Sequence, residues 1–139
     1  MTNASSANHN SRVPAPNPLS LAVVIVSWNV ADLLAGCLDS LFNDLETSRL
    51  NARVLVIDNA STDGSAGMVR AKYPRVELTA SKTNLGFAGG NNCGLALLGL
   101  KGPALPQTPY VMLLNPDTEV QPGAIKSMLE VIQSQSDAA

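Results

Sequence analysis

The chain has 139 residues, 45% of them hydrophobic and only 14% charged, against ~25% charged in a typical globular protein. That length builds one hydrophobic core, not two, and the composition excludes disorder of the whole chain. Nine basic against eleven acidic residues leave a net charge of −2, which excludes a polyanion-binding surface and, with it, long nucleic acid as a partner.

The longest unbroken apolar run, Leu21 to Val26, is far too short to span a bilayer, so no transmembrane segment is expected. The stretch before it lacks the apolar region of a secretory signal. Cys37 and Cys93 have no metal-type spacing and sit inside apolar helical patterns, which predicts buried free thiols in a cytosolic protein. The single histidine, His9, lies near the N-terminus. Zinc chemistry and histidine base catalysis are therefore not expected.

Residues 1–18 are rich in Asn, Ser, Ala and Pro and read as a disordered leader; residues 19–139 form the domain. Leu21–Ser27 is a continuous apolar, β-branched run, the pattern of a strand covered on both faces. Val30–Leu45 repeats apolar residues at helical spacing for four turns, with Asn29 where an N-cap should stand. A second buried strand is predicted over Arg53–Asp58, then a turn through Asn59–Gly64 and a helix over Ser65–Tyr73. After Pro74 comes a short strand, Val76–Thr79. Ser81–Gly90 reads as a glycine- and asparagine-rich loop entering a helix that ends near Leu100. Gly102, Pro103, Pro106 and Pro109 mark a connection to a fourth strand, Tyr110–Leu114. Pro122 suits the first turn of a last helix, with Ile125, Met128, Leu129 and Ile132 on one face. Strand and helix alternate four times, which predicts an α/β fold: a parallel sheet of about four strands flanked by helices.

In such sheets ligands collect at the carboxyl ends of the strands. Here those ends carry Ser27-Trp28-Asn29, Asp58-Asn59, Ser81-Lys82-Thr83-Asn84 and Asn115-Pro116-Asp117. One polar strand end is routine; four together point to a site. Each residue also has a plainer reading. Asp58 and Asp117 can cap turns, Asp63-Gly64 suits turn and N-cap chemistry, and Trp28 can be a core residue. Lys82 and Arg70 suit ordinary surface positions. The glycines at 86, 89 and 90 do not follow the first strand, so a Rossmann dinucleotide fingerprint is not supported.

Four motifs carry a resemblance: Val24-Ile25-Val26-Ser27-Trp28-Asn29; Val56 through Ser65; Asn84 through Asn92; and Leu113-Leu114-Asn115-Pro116-Asp117-Thr118. In that order and spacing, over about residues 20–133, the sequence resembles a family 2 glycosyltransferase with the GT-A (Rossmann-like) fold. It is most similar to the rhamnosyltransferase-like and galactofuranosyltransferase-like branch. The resemblance implies a nucleotide-diphosphate sugar donor, dTDP-rhamnose or a UDP-sugar, and transfer with inversion to a cell-envelope glycan or lipid-linked acceptor. Ser27, Trp28, Asn29, Asp58, Asn84, Gly86, Asn115 and Asp117 are the implied nucleotide-sugar-binding residues. Trp28 matches the aromatic that packs on the base, and Asp58 matches the acid that accepts its ring N–H. The loop with Asn84 and Gly86 matches the segment that closes over the nucleotide. Asn115-Pro116-Asp117 stands in the place of the family's D-x-D motif, with Asp117 as the ligand of Mg²⁺ or Mn²⁺; Asn115 replaces the first acid.

A leaving diphosphate gains negative charge, and a site with few cations needs a metal ion to stabilise it. One carboxylate suffices, because magnesium commonly takes only one or two besides substrate phosphates. After Asp117 the chain holds only Glu119, Glu130 and Asp137 as acids, none where the family places its general base. No catalytic base is therefore assigned, and it is expected beyond residue 139. The chain reads as the N-terminal, donor-binding part of a longer enzyme, inactive alone, cytoplasmic or peripheral at the inner face of the cell membrane. An uncovered sheet edge invites self-association. The alternative is a non-catalytic nucleotide-sugar-binding or interaction module. A sugar nucleotidyltransferase would want a glycine- and arginine-rich loop where Trp28-Asn29-Val30-Ala31-Asp32 stands.

Overall fold

A computed structural model describes residues 19–100 and 108–135. The leader at 1–18, most of the proline-rich connection and the last residues of the C-terminal tail lie outside the described residues. Eight elements alternate along the chain: β1 (Leu21–Ser27), α1 (Ala31–Thr47), β2 (Ala52–Asp58), α2 (Ser65–Lys72), β3 (Val76–Ala80), α3 (Gly86–Leu97), β4 (Val111–Leu114) and α4 (Ala124–Gln135). Most ends fall within two or three residues of the periodicity. The clearest difference is α3, which starts at Gly86 inside the expected loop, so Gly89 and Gly90 are helical. Pro122 lies just before α4 rather than in its first turn.

The four strands form one parallel sheet in the order β3-β2-β1-β4. All seven residues of β1 are buried, as its unalternating apolar run requires. One face packs Leu21, Val23, Ile25, Val54 and Val56 against Leu34, Leu38 and Leu41 of α1, Val69 of α2, and Ile125 and Leu129 of α4. The other packs Ala22, Val24, Val26, Leu55 and Ile57 beneath α3.

Helix α3 comes unusually close to β1. A Cβ on Gly90 would lie 2.6 Å from Val26 Cγ1, and one on Gly94 would overlap Val24 Cγ1. These glycines serve helix-to-strand approach, a role that needs no phosphate.

The strand order sets the site's position. The chain steps from β1 to β2 to β3 in one direction, then returns to place β4 on the far side of β1. Helix α1 leaves β1 on one face, and α3 returns to β4 across the other. The order therefore reverses between β1 and β4, and the crevice at their carboxyl ends is where an open α/β sheet binds ligands. Ser27-Trp28 ends one of those strands, and Asn115-Pro116-Asp117 follows the other.

Candidate nucleotide-sugar site

Ser27 and Asp58 are register partners at the ends of β1 and β2. Their side chains are 1% and 3% exposed. Asp58 Oδ2 accepts the Ser61 amide at 3.1 Å, so the turn-capping reading of this residue holds for one oxygen. Asp58 Oδ1 and Ser27 Oγ are buried with no hydrogen-bond partner. A buried polar atom left unpaired costs about 1–3 kcal/mol, a cost that a ligand donor reaching it would remove.

Trp28, next along the chain, is 55% exposed. It is not a core residue, and its ring is available for stacking. Asn29 is exposed and in the left-handed region at φ 50°, with its amide and Oδ1 engaged. Its amide donates to Ser61 Oγ at 2.9 Å, and its Oδ1 accepts the Thr62 amide at 2.8 Å. Asn29 is not the N-cap of α1, because Val30 holds that position without a side-chain cap. The first-turn amide of Ala31 instead donates to Asp63 Oδ2 at 2.9 Å. Asp63 Oδ1 accepts the Ser65 amide at 3.0 Å and the Ser65 hydroxyl. The Ser65 hydroxyl and the Ala31 amide hold the Asp63 carboxyl below its ordinary pKa. The N-cap position of α2 belongs to Gly64, which has no side-chain cap; Asp63, one residue earlier, accepts the Ser65 amide in a turn and caps α1 as well.

Asn59, read from the sequence as part of the polar β2 end but not as a binding residue, ties the third strand end to the site. It is 2% exposed; its Nδ2 donates to the Gly86 carbonyl at 3.0 Å, and its Oδ1 accepts the Leu85 amide at 3.3 Å. Asn84 is exposed, and its Oδ1 accepts the Gly86 amide at 2.8 Å, closing a tight turn. Gly86 sits at φ 73°, a conformation that favours glycine. The backbone at Asn84 and Gly86 is thereby fixed from β2.

Asn115 and Asp117 are both exposed. Asn115 offers its carbonyl to the Thr118 amide at 3.1 Å and to Cys37 Sγ at 3.6 Å. A groove of about 400 Å³ runs between α1 and this loop, with Asp32, Leu33, Gly36, Asp117, Thr118 and Glu119 among its lining. Burial, and then the neighbouring Asp117 charge, push the Cys37 thiol up to about 11, opposed by the Thr118 amide. Cys37 is buried as expected, whereas Cys93 is only half-buried.

Among the described residues no three His, Cys, Asp or Glu side chains converge as a metal cage. An exposed oxygen donor outside any such cage, as Asp117 is, fits a hard cation that draws its other ligands from phosphates and water. It does not fit a structural zinc site.

The structure therefore brings Ser27, Trp28 and Asp58 together at one edge, with the Asn84–Gly86 turn bonded to that edge through Asn59. Asn115 and Asp117 stand across the switch point, in the loop that follows β4. The useful signal for Asn59 was its place directly after a strand-ending acid. Ser61 and Asp63 gave only turn chemistry, because bonds across some thirty residues have no local signature.

Residues 22–139 match glycosyl transferase family 2, and the chain belongs to that family. Over 113 residues it is 35% identical to N-acetylglucosaminyl-diphospho-decaprenol L-rhamnosyltransferase of Mycobacterium tuberculosis, covering 79% of this chain and 36% of that protein. The chain thus spans about a third of the length of its curated relatives. Among solved structures it resembles the mannosyltransferase PcManGT of Pyrobaculum calidifontis, in complex with GDP-Man and Mn²⁺, with TM-score 0.62 and 23% identity over 87% of this chain and 34% of that one. It also resembles residues 1–349 of TarS from S. aureus, with TM-score 0.66 and 20% identity over 85% of this chain and 33% of that one. A complex of that protein with UDP matches with TM-score 0.62 at 19% identity, over 85% and 33% of the two chains. At these identities the structures establish the GT-A fold.

Proposed function

We propose that this chain forms the donor-binding part of an inverting glycosyltransferase that takes dTDP-rhamnose or a UDP-sugar. The observation that carries this reading is the pair of unpartnered buried oxygens, Ser27 Oγ and Asp58 Oδ1, beside an exposed tryptophan at the sheet's switch point. Trp28 stacks on the pyrimidine, and Asp58 Oδ1 accepts its ring N–H. Ser27 Oγ supplies a further polar contact. The Asn84–Gly86 turn lies over the nucleotide, and Asn29 holds the β1 turn against the β2 turn through its amide and Oδ1 while its Nδ2 reaches the ligand.

Asp117 holds Mg²⁺ or Mn²⁺, with Asn115 orienting ribose or water. The cation, when bound, offsets the charge that develops on the leaving diphosphate. We assign donor and cation binding to these residues, and the acceptor base to none of them. The rhamnosyltransferase relative, named for a lipid-linked sugar acceptor, supports a cell-envelope glycan or lipid-linked acceptor here. A lipid-linked acceptor would hold the enzyme at a membrane surface, and we place its action at the inner face. No helix among the described residues is long and apolar enough to cross one.

The test is calorimetric titration of the protein and of its Asp58→Ala and Asp117→Ala variants with dTDP and UDP. Loss of affinity in Asp58→Ala, and loss of the Mn²⁺-dependent part in Asp117→Ala, is expected. Unchanged affinity in both variants would reject the site.

A further inference from the structure

Helix α1 presents three side chains to the segment that follows β4. Cys37, Ser40 and Asp44 lie at i, i+3 and i+7, hence on one face. Cys37 Sγ meets the Asn115 carbonyl at 3.6 Å. Ser40 Oγ accepts the Val120 amide at 2.9 Å and donates to the Cys37 carbonyl at 2.9 Å, so both sides of the hydroxyl are used. Asp44 is 0% exposed. Its Oδ1 accepts the Gly123 amide at 2.6 Å, and its Oδ2 accepts the Ile125 amide at 3.3 Å. The row therefore contacts segment 115–125 at regular intervals, entirely through backbone groups. Asp117 lies between the first two contacts, and its own side chain has no partner among these bonds.

The other end of α1 is tied as firmly to the nucleotide end of the site. Ala31 is capped by Asp63 at 2.9 Å, and Asn29 is bonded to Ser61 and Thr62. One helix thus joins the turn carrying Trp28 to the loop carrying Asp117.

We propose that Ser40 is a positioning residue for Asp117, fixing the reach of its carboxylate toward a donor-bound cation through the Val120 amide. This rests on the donor-site reading above and assigns a role to a residue outside it. Asp44 anchors the far end of the segment by capping α4, a stabilising role common to buried acids at helix N-termini. Ser40 lies closer to Asp117 and is only half-buried, so its removal tests position with less effect on folding.

The experiment measures UDP and dTDP affinity by calorimetry, with and without Mn²⁺, in the protein and in Ser40→Ala, Ser40→Thr and Asp117→Ala. Amide exchange at Val120 is followed in parallel. In Ser40→Ala, affinity with Mn²⁺ should fall by roughly three- to tenfold, the equivalent of one lost hydrogen bond. Affinity without Mn²⁺ should hold within about twofold, because Trp28 and Asp58 are untouched. Ser40→Thr, which keeps the hydroxyl, should restore the Mn²⁺ response, and Val120 exchange should quicken in Ser40→Ala alone.

Equal losses with and without Mn²⁺ would mean a merely structural role and overturn the proposal, as would no loss in either. If Ser40→Ala does not fold, Ser40→Cys, which keeps the volume and weakens the acceptor, is read by the same criteria. A parent protein that binds neither nucleotide, or an Asp117→Ala variant that keeps the full Mn²⁺ response, would instead reject the underlying site assignment, and the positioning role with it.

Discussion

Asp63 caps the helix that begins at Ala31, accepting its amide at 2.9 Å across 32 residues of sequence. The same carboxyl accepts the amide of Ser65 at the start of α2. A single acid at the end of the β2 turn thus satisfies first-turn donors of two helices, donors that otherwise have no intrahelical partner. This cross-link brings the Trp28 turn and the Asp58 turn together as one unit.

Asp63→Ala should lower the melting temperature, and Asp63→Asn should lower it less, since an amide oxygen can keep one of the two caps. The pH dependence has a definite sign. The folded pKa of Asp63 is depressed, chiefly by the Ser65 hydroxyl, below the unfolded value of ~3.9. Its contribution is complete above that value and is lost as pH falls through the folded pKa. Thermal melts of parent and Asp63→Ala should differ at pH 7 and converge toward acid pH; a gap that persists there would contradict the capping account.

Asp58→Asn separates stability from binding. An amide oxygen can keep the Ser61 bond, while the unpartnered acceptor position becomes a donor that faces the ring N–H of a pyrimidine. The melting temperature should hold or rise, because a buried unpaired acceptor contributes no stability. Nucleotide affinity should fall at least about tenfold, as expected for a lost bond to a charged group. Calorimetry and a thermal melt on the same sample check both halves.

Strand and helix count, the polar strand ends and the family motifs were all legible in the sequence, because apolar periodicity and motif spacing are local; the strand order β3-β2-β1-β4 was not. What escaped it was non-local or hidden by composition. Gly86–Gly90 looked like loop, and local propensity alone disfavours a helix there by about 1 kcal/mol per glycine. Packing overrode it, since only glycine at 90 and 94 lets α3 lie against Val26 and Val24. Asn29 looked like a cap because it precedes the helix. Its left-handed backbone and bonds to Ser61 and Thr62 gave it another task. Asp44 falls on the apolar face of α1, seven residues after Cys37, and is fully buried; apolar periodicity gives no account of an acid there.

Gly94→Ala should destabilise the protein by about 1–3 kcal/mol, the usual cost of overpacking a tight core. The added methyl meets Val24, which is fully buried and cannot move aside. The same substitution at Gly67, with nothing within 4 Å of the new Cβ, should be neutral or slightly stabilising on the exposed face of α2. Denaturant midpoints distinguish the two, and equal effects would mean that α3 does not approach β1 as closely as described.

Tyr73→Phe should cost about 1–2 kcal/mol, because the partly buried hydroxyl lies 2.7 Å from Asp39 Oδ1 and 3.0 Å from the Ala35 carbonyl oxygen. Burial first, and then the Asp39 bond, push this phenol up to about 12. A raised acid pKa means stability that is complete below the unfolded value of ~10 and fades as pH rises above it. The gap between Tyr73→Phe and parent should therefore be largest near neutrality and narrow above pH ~10. Denaturation curves across that range check it.

The most direct measurement is calorimetric titration of the protein with UDP and with dTDP, each in the presence and absence of Mn²⁺. A site built from Trp28, Asp58 and Asp117 predicts binding of at least one nucleotide that tightens when Mn²⁺ is added, and preference between the two would narrow the donor. A well-folded protein that binds neither nucleotide under any of these conditions would contradict the donor-site account.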